Sequence, residues 1–367
     1  MASDEIVQID DLLQAISEDN PAGEDIRTDP SPTSPYYSIK DARGAARAAE
    51  RNNMFDGNNS EADEQWRKII QLAPDILKNN AKDLEVASWY TEALIRMHGF
   101  QGLRDGFKLI HGLIEQYWDN LYPMPDEDGI ETRVASLAGL NGEGAEGVLI
   151  VPIRNVPITQ GNEPGPFSFW KYQQAMEVEK IIDEEAKLDK ASKLGFSNSD
   201  VEHAVSESSE SFFVDLRDDL DIAIETYRNI GSLLDEHCGI SDAPPVSNII
   251  NILDGCLGTV KHIGKYKLPS EESADSEDSV AEGQTNTANQ TEQTSGPVKN
   301  REDAFKKLTE ISEYFRKTEP HSPISYILKR AVKWGDMSLD DLMRELIPDS
   351  SARDFYGSLT GIQTDDE

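Results

Sequence analysis

The chain has 367 residues, more than one compact core of ordinary size requires, and this length favours two or three domains. Its 35 basic and 69 acidic residues give a net charge of −34, which would repel nucleic acids and anionic lipid surfaces and favours a basic partner. Only 37% of the residues are hydrophobic, a low fraction for a packed enzyme.

The cysteine content and the N-terminal residues indicate in which compartment we expect the protein. Cys238 and Cys256 are the only cysteines, and their spacing fits neither a disulfide framework nor a zinc site. The first residues, MASDEIVQIDDLL, lack the basic region and apolar core of an export signal, and no run of about 18 apolar residues occurs. We therefore expect a cytoplasmic protein that does not insert into a membrane.

The first part of the chain predicts helices at residues 9–16, 36–52 and 61–79, because apolar or alanine-rich positions recur there at helical spacing. A polar, proline-rich loop joins the first two. Within that loop the carboxylates of Glu24 and Asp25 could form a metal or acid site. An isolated carboxylate pair is more often a helix cap or a salt bridge to a neighbouring helix, and this is the stronger interpretation of the run Glu24 to Arg27.

Residues 82–129 form the best-specified stretch and predict a helical hairpin. Apolar residues follow a helical period up to Met97, Gly99 and Gly102 interrupt the pattern, and the period then resumes as far as Trp118. Prolines after residue 120 end the second helix, because proline cannot donate the next backbone hydrogen bond. We expect Trp89 and Trp118 in the core of this bundle.

Residues 131–140 continue the bundle as a helix, whereas residues 151–161 alternate apolar residues with prolines and predict a short edge strand or β hairpin. A helix then starts at Ser168, and we expect the N-terminal domain to span residues 1–190. Two more helices, at residues 199–238 and 246–263, form either a small middle domain (191–267) or an extension of the first. Their apolar stripe predicts a seam between helices and includes Leu216, Leu220, Ile224, Tyr227 and Leu234.

Residues 268–300 have the composition of a disordered acidic linker. They contain seven acidic residues, one lysine and no aromatic residue, so they cannot bury enough apolar surface to offset the entropy lost on ordering. We expect this linker to let the last module take several orientations.

Residues 301–367 predict a small helical module with a limited core. Its apolar residues include Ile311 and Phe315 on a first helix and Ile327 and Leu328 on a second. A module of this size would gain stability by burying apolar surface against copies of itself. Residues 301–335 also carry eight basic and five acidic residues, a net of +3 in a chain of −34. This window is either a solvated helix face or a contact surface for acidic partners.

No motif for catalysis or cofactor binding is found. The sequence lacks a phosphate-binding loop, a dinucleotide fingerprint, a nucleophile elbow and a zinc-protease motif, and we expect no cofactor and no metal. Glu319, His321 and Ser322 suggest a catalytic triad. Side chains so close in sequence rarely face one another as a triad requires, and a capped turn is the better interpretation.

Four segments resemble the TssA family of bacterial type VI secretion proteins, whose N-terminal domain is of the ImpA type. They are NPAGEDIR (20–27), TEALIRMHGFQGLRDG (91–106), YWDNLYPMPDEDG (117–129) and ISEYFRKTEPHSPISYILKRAVKW (311–334). The last segment resembles the C-terminal module of the shorter, baseplate-linked class. The resemblance spans residues 10–175 and returns in the last 67 residues.

The resemblance implies a structural component rather than an enzyme. It implies a ring built by the C-terminal module, which associates with the baseplate and primes polymerisation of the tail tube and contractile sheath. Expected partners are further copies of the chain, baseplate subunits, tube and sheath proteins and the membrane core complex. A soluble helical adaptor unrelated to secretion and a hydrolase using carboxylates are the alternatives.

Together these observations predict a mainly α fold: a helical N-terminal bundle with a short β hairpin, a helical middle segment, a disordered acidic linker and a small helical C-terminal oligomerisation module. Arg316 and Arg330 are best suited to bidentate pairing with acidic neighbours. The full set of candidate oligomerisation residues is Arg316, Glu319, His321, Ile324, Leu328, Arg330, Trp334 and Leu342.

Overall fold

A computed structural model describes residues 2–52, 59–127, 129–161, 163, 165–269, 301–318, 324–335, 337 and 342. The chain divides into two units, residues 1–279 and 280–367. Most of the described residues are helical, which confirms the predicted mainly α fold. The linker predicted at residues 268–300 lies outside the described residues from residue 270 onward.

The helices of the N-terminal unit are α1 (Ile9–Leu13), α2 (Pro35–Asn52), α3 (Ser60–Asn79), α4 (Leu84–Tyr117), α5 (Glu131–Asn141), α6 (Ile150–Asn155), α7 (Phe169–Glu179), α8 (Glu184–Leu194), α9 (Asn198–Glu207), α10 (Glu210–Cys238) and α11 (Ser247–Ile263). Those of the C-terminal unit are α12 (Arg301–Thr318) and α13 (Ile324–Gly335). No helix in the described residues is long and apolar enough to cross a membrane.

The predicted helical hairpin is confirmed within α4, which reverses direction at Gly99. This glycine has φ +60° and ψ −142°, a conformation that a residue with a side chain rarely adopts. The two arms then meet closely at two further glycines. A Cβ at Gly102 would lie 2.3 Å from the carbonyl oxygen of Leu94, and one at Gly106 would lie 2.6 Å from Thr91 Oγ1. The glycines therefore set the distance between the arms.

The short β hairpin predicted at residues 151–161 is wrong. Residues 151–155 belong to α6, and Pro152 lies in its first turn, where a missing backbone N–H leaves no intrahelical bond unmade. Beyond α6 a single isolated bridge joins Pro157 to Ser168, and Ile158 N donates to the Phe167 carbonyl at 2.8 Å. Named strands are absent from the part of the chain that the structure describes.

One main core contains residues of α1 to α7, α10 and α11, and a smaller cluster contains Phe167, Ala175, Val201 and Ala204. The rings of Phe107 on α4 and Tyr227 on α10 lie 4.5 Å apart, and the predicted stripe on α10 is buried in the main core, which confirms it as a seam between helices. The helix predicted at 199–238 is divided into α9 and α10. The Ser209 side chain accepts a hydrogen bond from Phe212 N and so caps the start of α10.

A buried ionic cluster joins the α4 hairpin to α10. Arg104 donates to Asp105 on its own helix at 2.7 Å and to Asp219 on α10 at 2.5 Å, and all three side chains are almost fully buried. Because isolated charges are strongly disfavoured in a protein interior, each group depends on the others. The cluster also holds the N-terminal segment, through hydrogen bonds with Ser3, Asp4, Ile6 and Val7.

The loop at residues 20–27 is a structural element, as predicted. Asp25 accepts from Arg27 N, and the Arg27 guanidinium pairs with Asp83 at 2.6 Å and with Glu85 at 2.7 Å. A Cβ at Gly23 would lie 2.0 Å from the carbonyl oxygen of Asn80, so this residue must be small for the loop to reach α3. The loop therefore fastens the start of α4 to the N-terminal segment.

The two tryptophans that the sequence predicts to be in the core differ in burial. Trp89 is 4% exposed and confirms the prediction. Trp118 is only half-buried, so its placement in the core is wrong. It follows the end of α4, where its indole stacks on His237 at 4.5 Å and lies beneath the Arg133 guanidinium at 5.2 Å.

Candidate assembly surfaces

The C-terminal unit presents a pair of helices that pack together. Helices α12 and α13 pack against each other, and Ser312 Oγ, buried at this contact, donates to the Ser325 carbonyl at 2.8 Å. Leu308, Phe315 and Leu328 are half-buried beside it. A small polar side chain at this contact lets the two helices approach closely.

Several large apolar side chains of this pair face solvent. Ile311 is 45% exposed, Tyr326 68% and Ile327 60%. The sequence places Ile311 and Ile327 inside the module's core, and among the described residues this placement is wrong. Two helices can bury only one face each, and here those faces are centred on Ser312 and Ser325. These apolar side chains therefore lie on the exposed side of the described helix pair.

The candidate oligomerisation residues are divided between two environments. Arg316 is exposed, whereas Leu328, Trp334 and Leu342 are half-buried. Arg330 is exposed, and its guanidinium lies 5.1 Å from the centre of the Trp334 ring, a cation–π arrangement within α13. Glu319 and His321 lie outside the described residues. Ile324 begins α13, but its side chain is likewise outside the description.

Among the described residues, no three histidine, cysteine or carboxylate side chains come together as metal ligands. Cys256 is buried in the core, and burial raises the pKa of its thiol to about 12, so it is protonated at neutral pH. This arrangement offers surfaces for binding more readily than groups for chemistry.

A groove of about 800 Å³ in the N-terminal unit is a feature that sequence reasoning missed. Its lining includes Arg47 and Arg51 of α2 and Arg96 of α4. The available signal was the spacing of Arg43, Arg47 and Arg51, which places three guanidinium groups on one side of a helix. A charge count by sequence window conceals this stripe, because acidic residues alternate with it along the chain.

Comparison with known proteins gives consistent results. The family model described as ImpA, N-terminal, type VI secretion system matches residues 13–142. The chain is 25% identical over 343 residues to the type VI secretion system component TssA1 of Pseudomonas aeruginosa, in an alignment covering 92% of this chain and 94% of that protein.

A solved structure extends the match to three dimensions. It is the N-terminal domain, including the conserved ImpA_N region, of the TssA component of the type VI secretion system from Burkholderia cenocepacia. The similarity has 27% sequence identity and a TM-score of 0.59, and it covers 71% of this chain and 94% of that one. This share exceeds the stretch matched by the family model, in agreement with a core that continues into α10 and α11.

Proposed function

Because the chain belongs to the TssA family of type VI secretion system components, we propose that it is an assembly protein that forms a ring. The ring associates with the baseplate and primes polymerisation of the tail tube and contractile sheath. Its partners in this role are further copies of the chain, baseplate subunits, tube and sheath proteins and the membrane core complex.

The observation that carries this proposal is the extent of the similarity to TssA1. An alignment covering 92% of this chain includes both the α4 hairpin and the α12–α13 pair. A match confined to residues 13–142 would support only a shared N-terminal module. Similarity across both units supports a shared role for the whole protein.

The exposed apolar face of the C-terminal unit supports self-association there. Ile311, Tyr326 and Ile327 lie on a helix pair with a small core, and burying them against another copy removes apolar surface from water at about 25 cal/mol per Å². The helix pair lies within the positive window, so contact between copies is opposed less by the general negative charge. These properties favour the C-terminal unit as the ring-forming part.

Arg316 is the stronger of the two arginines for pairing between copies. Its side chain is exposed, whereas the Arg330 guanidinium already lies against the Trp334 ring. An exposed arginine–carboxylate pair contributes only about 0.2–1 kcal/mol, and more when the contact excludes water. The charged residues therefore tune an association that rests mainly on apolar contact.

Electron microscopy of the purified full-length protein tests the proposal. We expect closed rings of uniform size, and we expect the Ile327→Ser and Tyr326→Ser double variant to give only small particles. Circular dichroism must show its helices intact, so that loss of assembly is not confused with unfolding. The Arg316→Glu and Arg330→Glu double variant should weaken the rings less. Uniform monomers of the unaltered protein at high concentration would contradict ring formation.

A further inference from the structure

The groove in the N-terminal unit brings together four separate parts of the chain. It is lined by the last turns of α2, the first turns of α3, the α4 hairpin turn around Met97 and Gly99, and residues 146–157 with α6. Its volume of about 800 Å³ is large enough for several side chains of a bound segment. Because its walls belong to helices of one continuous core, the groove is preformed.

One arginine of the lining, Arg96, and one beside the groove, Arg43, are already paired with carboxylates. Arg43, next to the groove, donates to the buried carboxylate of Glu92 at 2.8 Å, and Arg96 pairs with Glu50 at 2.6 Å. Trp66 connects the second pair, since its indole N–H also donates to Glu50 at 2.8 Å and its ring lies 4.2 Å from the Arg96 guanidinium. These contacts occupy the charges of both arginines.

Arg47 and Arg51 make no hydrogen bond or ion pair with any residue that the structure describes. Arg47 is half-buried, and burial lowers the pKa of its guanidinium. The positive charges of Arg43, Arg96 and Arg51 lower this pKa further, whereas the negative charge of Glu92 raises it. An arginine held among like charges in a chain of −34 gains from any carboxylate that approaches it.

The acidic residues of the lining form no ion pair with Arg47 or Arg51 among the described residues. Glu146 pairs with Arg154 at 3.0 Å, and Glu50 pairs with Arg96. Asp63 also lines the groove and keeps its negative charge in the first turn of α3, but it pairs with neither arginine. The groove therefore offers two arginine side chains to a ligand from outside.

Apolar side chains also line the groove. Val151 on α6 is 49% exposed, and Pro152, Val156 and Met97 lie with it in the lining. A ligand that fits must combine negative charge with at least one apolar side chain. A polyanion such as nucleic acid matches only the arginines and is repelled by the rest of the surface.

We propose that this groove binds an acidic peptide segment of a partner protein, with its carboxylates paired to Arg47 and Arg51 and an apolar side chain against Val151. The inference deepens the proposed assembly function, because it names the chemistry of a partner for the N-terminal unit. Arginine suits this role since its planar guanidinium can pair with a carboxylate through two parallel hydrogen bonds.

Fluorescence anisotropy with the full-length protein tests the inference. The ligand is a labelled short peptide in which glutamates flank one leucine, and its matched control has glutamine in place of each glutamate. We expect the glutamate peptide to bind at least about tenfold more tightly than the control, with a preference that weakens as salt is raised.

Variants of the groove should remove this binding without disturbing the fold. Arg47→Glu with Arg51→Glu should weaken the glutamate peptide at least about tenfold, because two attractive contacts become repulsive. The control is Arg67→Glu with Lys68→Glu, which makes the same charge change at exposed positions of α3 that do not line the groove. It should bind like the unaltered protein. Equal melting temperatures for all three proteins show that the fold is kept.

Three results would overturn the inference. Equal binding of the glutamate and glutamine peptides would mean that charge is not recognised, and equal weakening by both double variants would mean that only net charge matters. Binding that appears only after deletion of residues 271–298 would mean that the chain's own acidic stretch is the occupant. Particle mass measured on the same samples separates this test from ring formation, since loss of peptide binding with intact rings leaves the assembly proposal standing.

Discussion

The two units of this chain bury their apolar and charged groups in different ways. In the N-terminal unit, helices α4 and α10 share an extensive core, and the buried charges of Arg104, Asp105 and Asp219 satisfy one another. In the C-terminal unit, the described helices meet at two serines and leave Ile327 largely exposed. The first arrangement is sufficient for a stable fold, and the second gains from a further surface.

The largest effect should come from breaking the buried ionic cluster. Arg104→Met would leave two carboxylates buried side by side, so we expect a loss of about 3–5 kcal/mol in the free energy of unfolding. Denaturant unfolding measures it. The matched control is Arg228→Met, which removes an exposed pair with Asp254 and should change stability by no more than about 1 kcal/mol. Equal effects would mean that the cluster does not hold α10 to α4.

The tryptophans provide a second contrast. Trp89→Ala should lower the free energy of unfolding by about 3–5 kcal/mol, as for a large core aromatic. Trp118→Ala should lower it by only about 1–2 kcal/mol, because its ring is already partly in water and loses less buried area. Similar melting temperatures for the two variants would contradict the placement of Trp118 at the rim.

Two glycines test the close approach of the α4 arms. Gly106→Ala should destabilise the N-terminal unit by about 1–3 kcal/mol, because the added methyl group would overlap the Thr91 side chain. Gly44→Ala on α2 meets no atom within 4 Å and should stabilise by about 0.5–1 kcal/mol. Thermal melts of both variants give the comparison, and a harmless Gly106→Ala would mean that the arms are not in fixed contact.

Lys82 gives the N-terminal unit a pH dependence. Its side chain is fully buried, and its ammonium group donates to the carbonyls of Leu12 and Leu77 at 2.7 Å. Burial lowers the pKa of this group from 10.5 to about 8. Between these two values the unfolded chain binds the proton more strongly than the folded one, so stability contributed by Lys82 rises with pH.

The Lys82→Met variant isolates this contribution. The stability difference between the unaltered protein and the variant should shift by roughly 1–3 kcal/mol in favour of the lysine as pH rises from 8 to 10.5. Denaturant unfolding at several pH values measures it. A difference that stays constant over this range would mean that the folded and unfolded states bind the proton equally.

The sequence predicts those elements whose signals are local. Gly99 interrupts a helical period and marks the hairpin turn, and the α10 stripe around Tyr227 predicts its own burial. Pro152 shows where local signals are ambiguous, because proline is tolerated both at an edge strand and in the first turn of a helix.

Contacts between residues far apart in the sequence cannot be predicted from local sequence patterns. Asp219 meets Arg104 although 115 positions separate them, and nothing in either neighbourhood predicts the pair. The groove is a similar case, since Arg47, Arg96 and Val151 come from three helices and only the fold brings them together. The sequence shows the helical spacing of the α2 arginines, but it does not show which residues they face.

The central claim is that the N-terminal unit folds by itself while the C-terminal unit assembles the chain. Light scattering of the full-length protein alongside a chain ending at residue 269 tests it most directly. We expect the full-length protein to have the mass of a multiple of the chain at every concentration above the micromolar range, and the shortened chain to be a folded monomer. A shortened chain with the same oligomeric mass as the full-length protein would contradict the account, because assembly would then reside in the N-terminal unit.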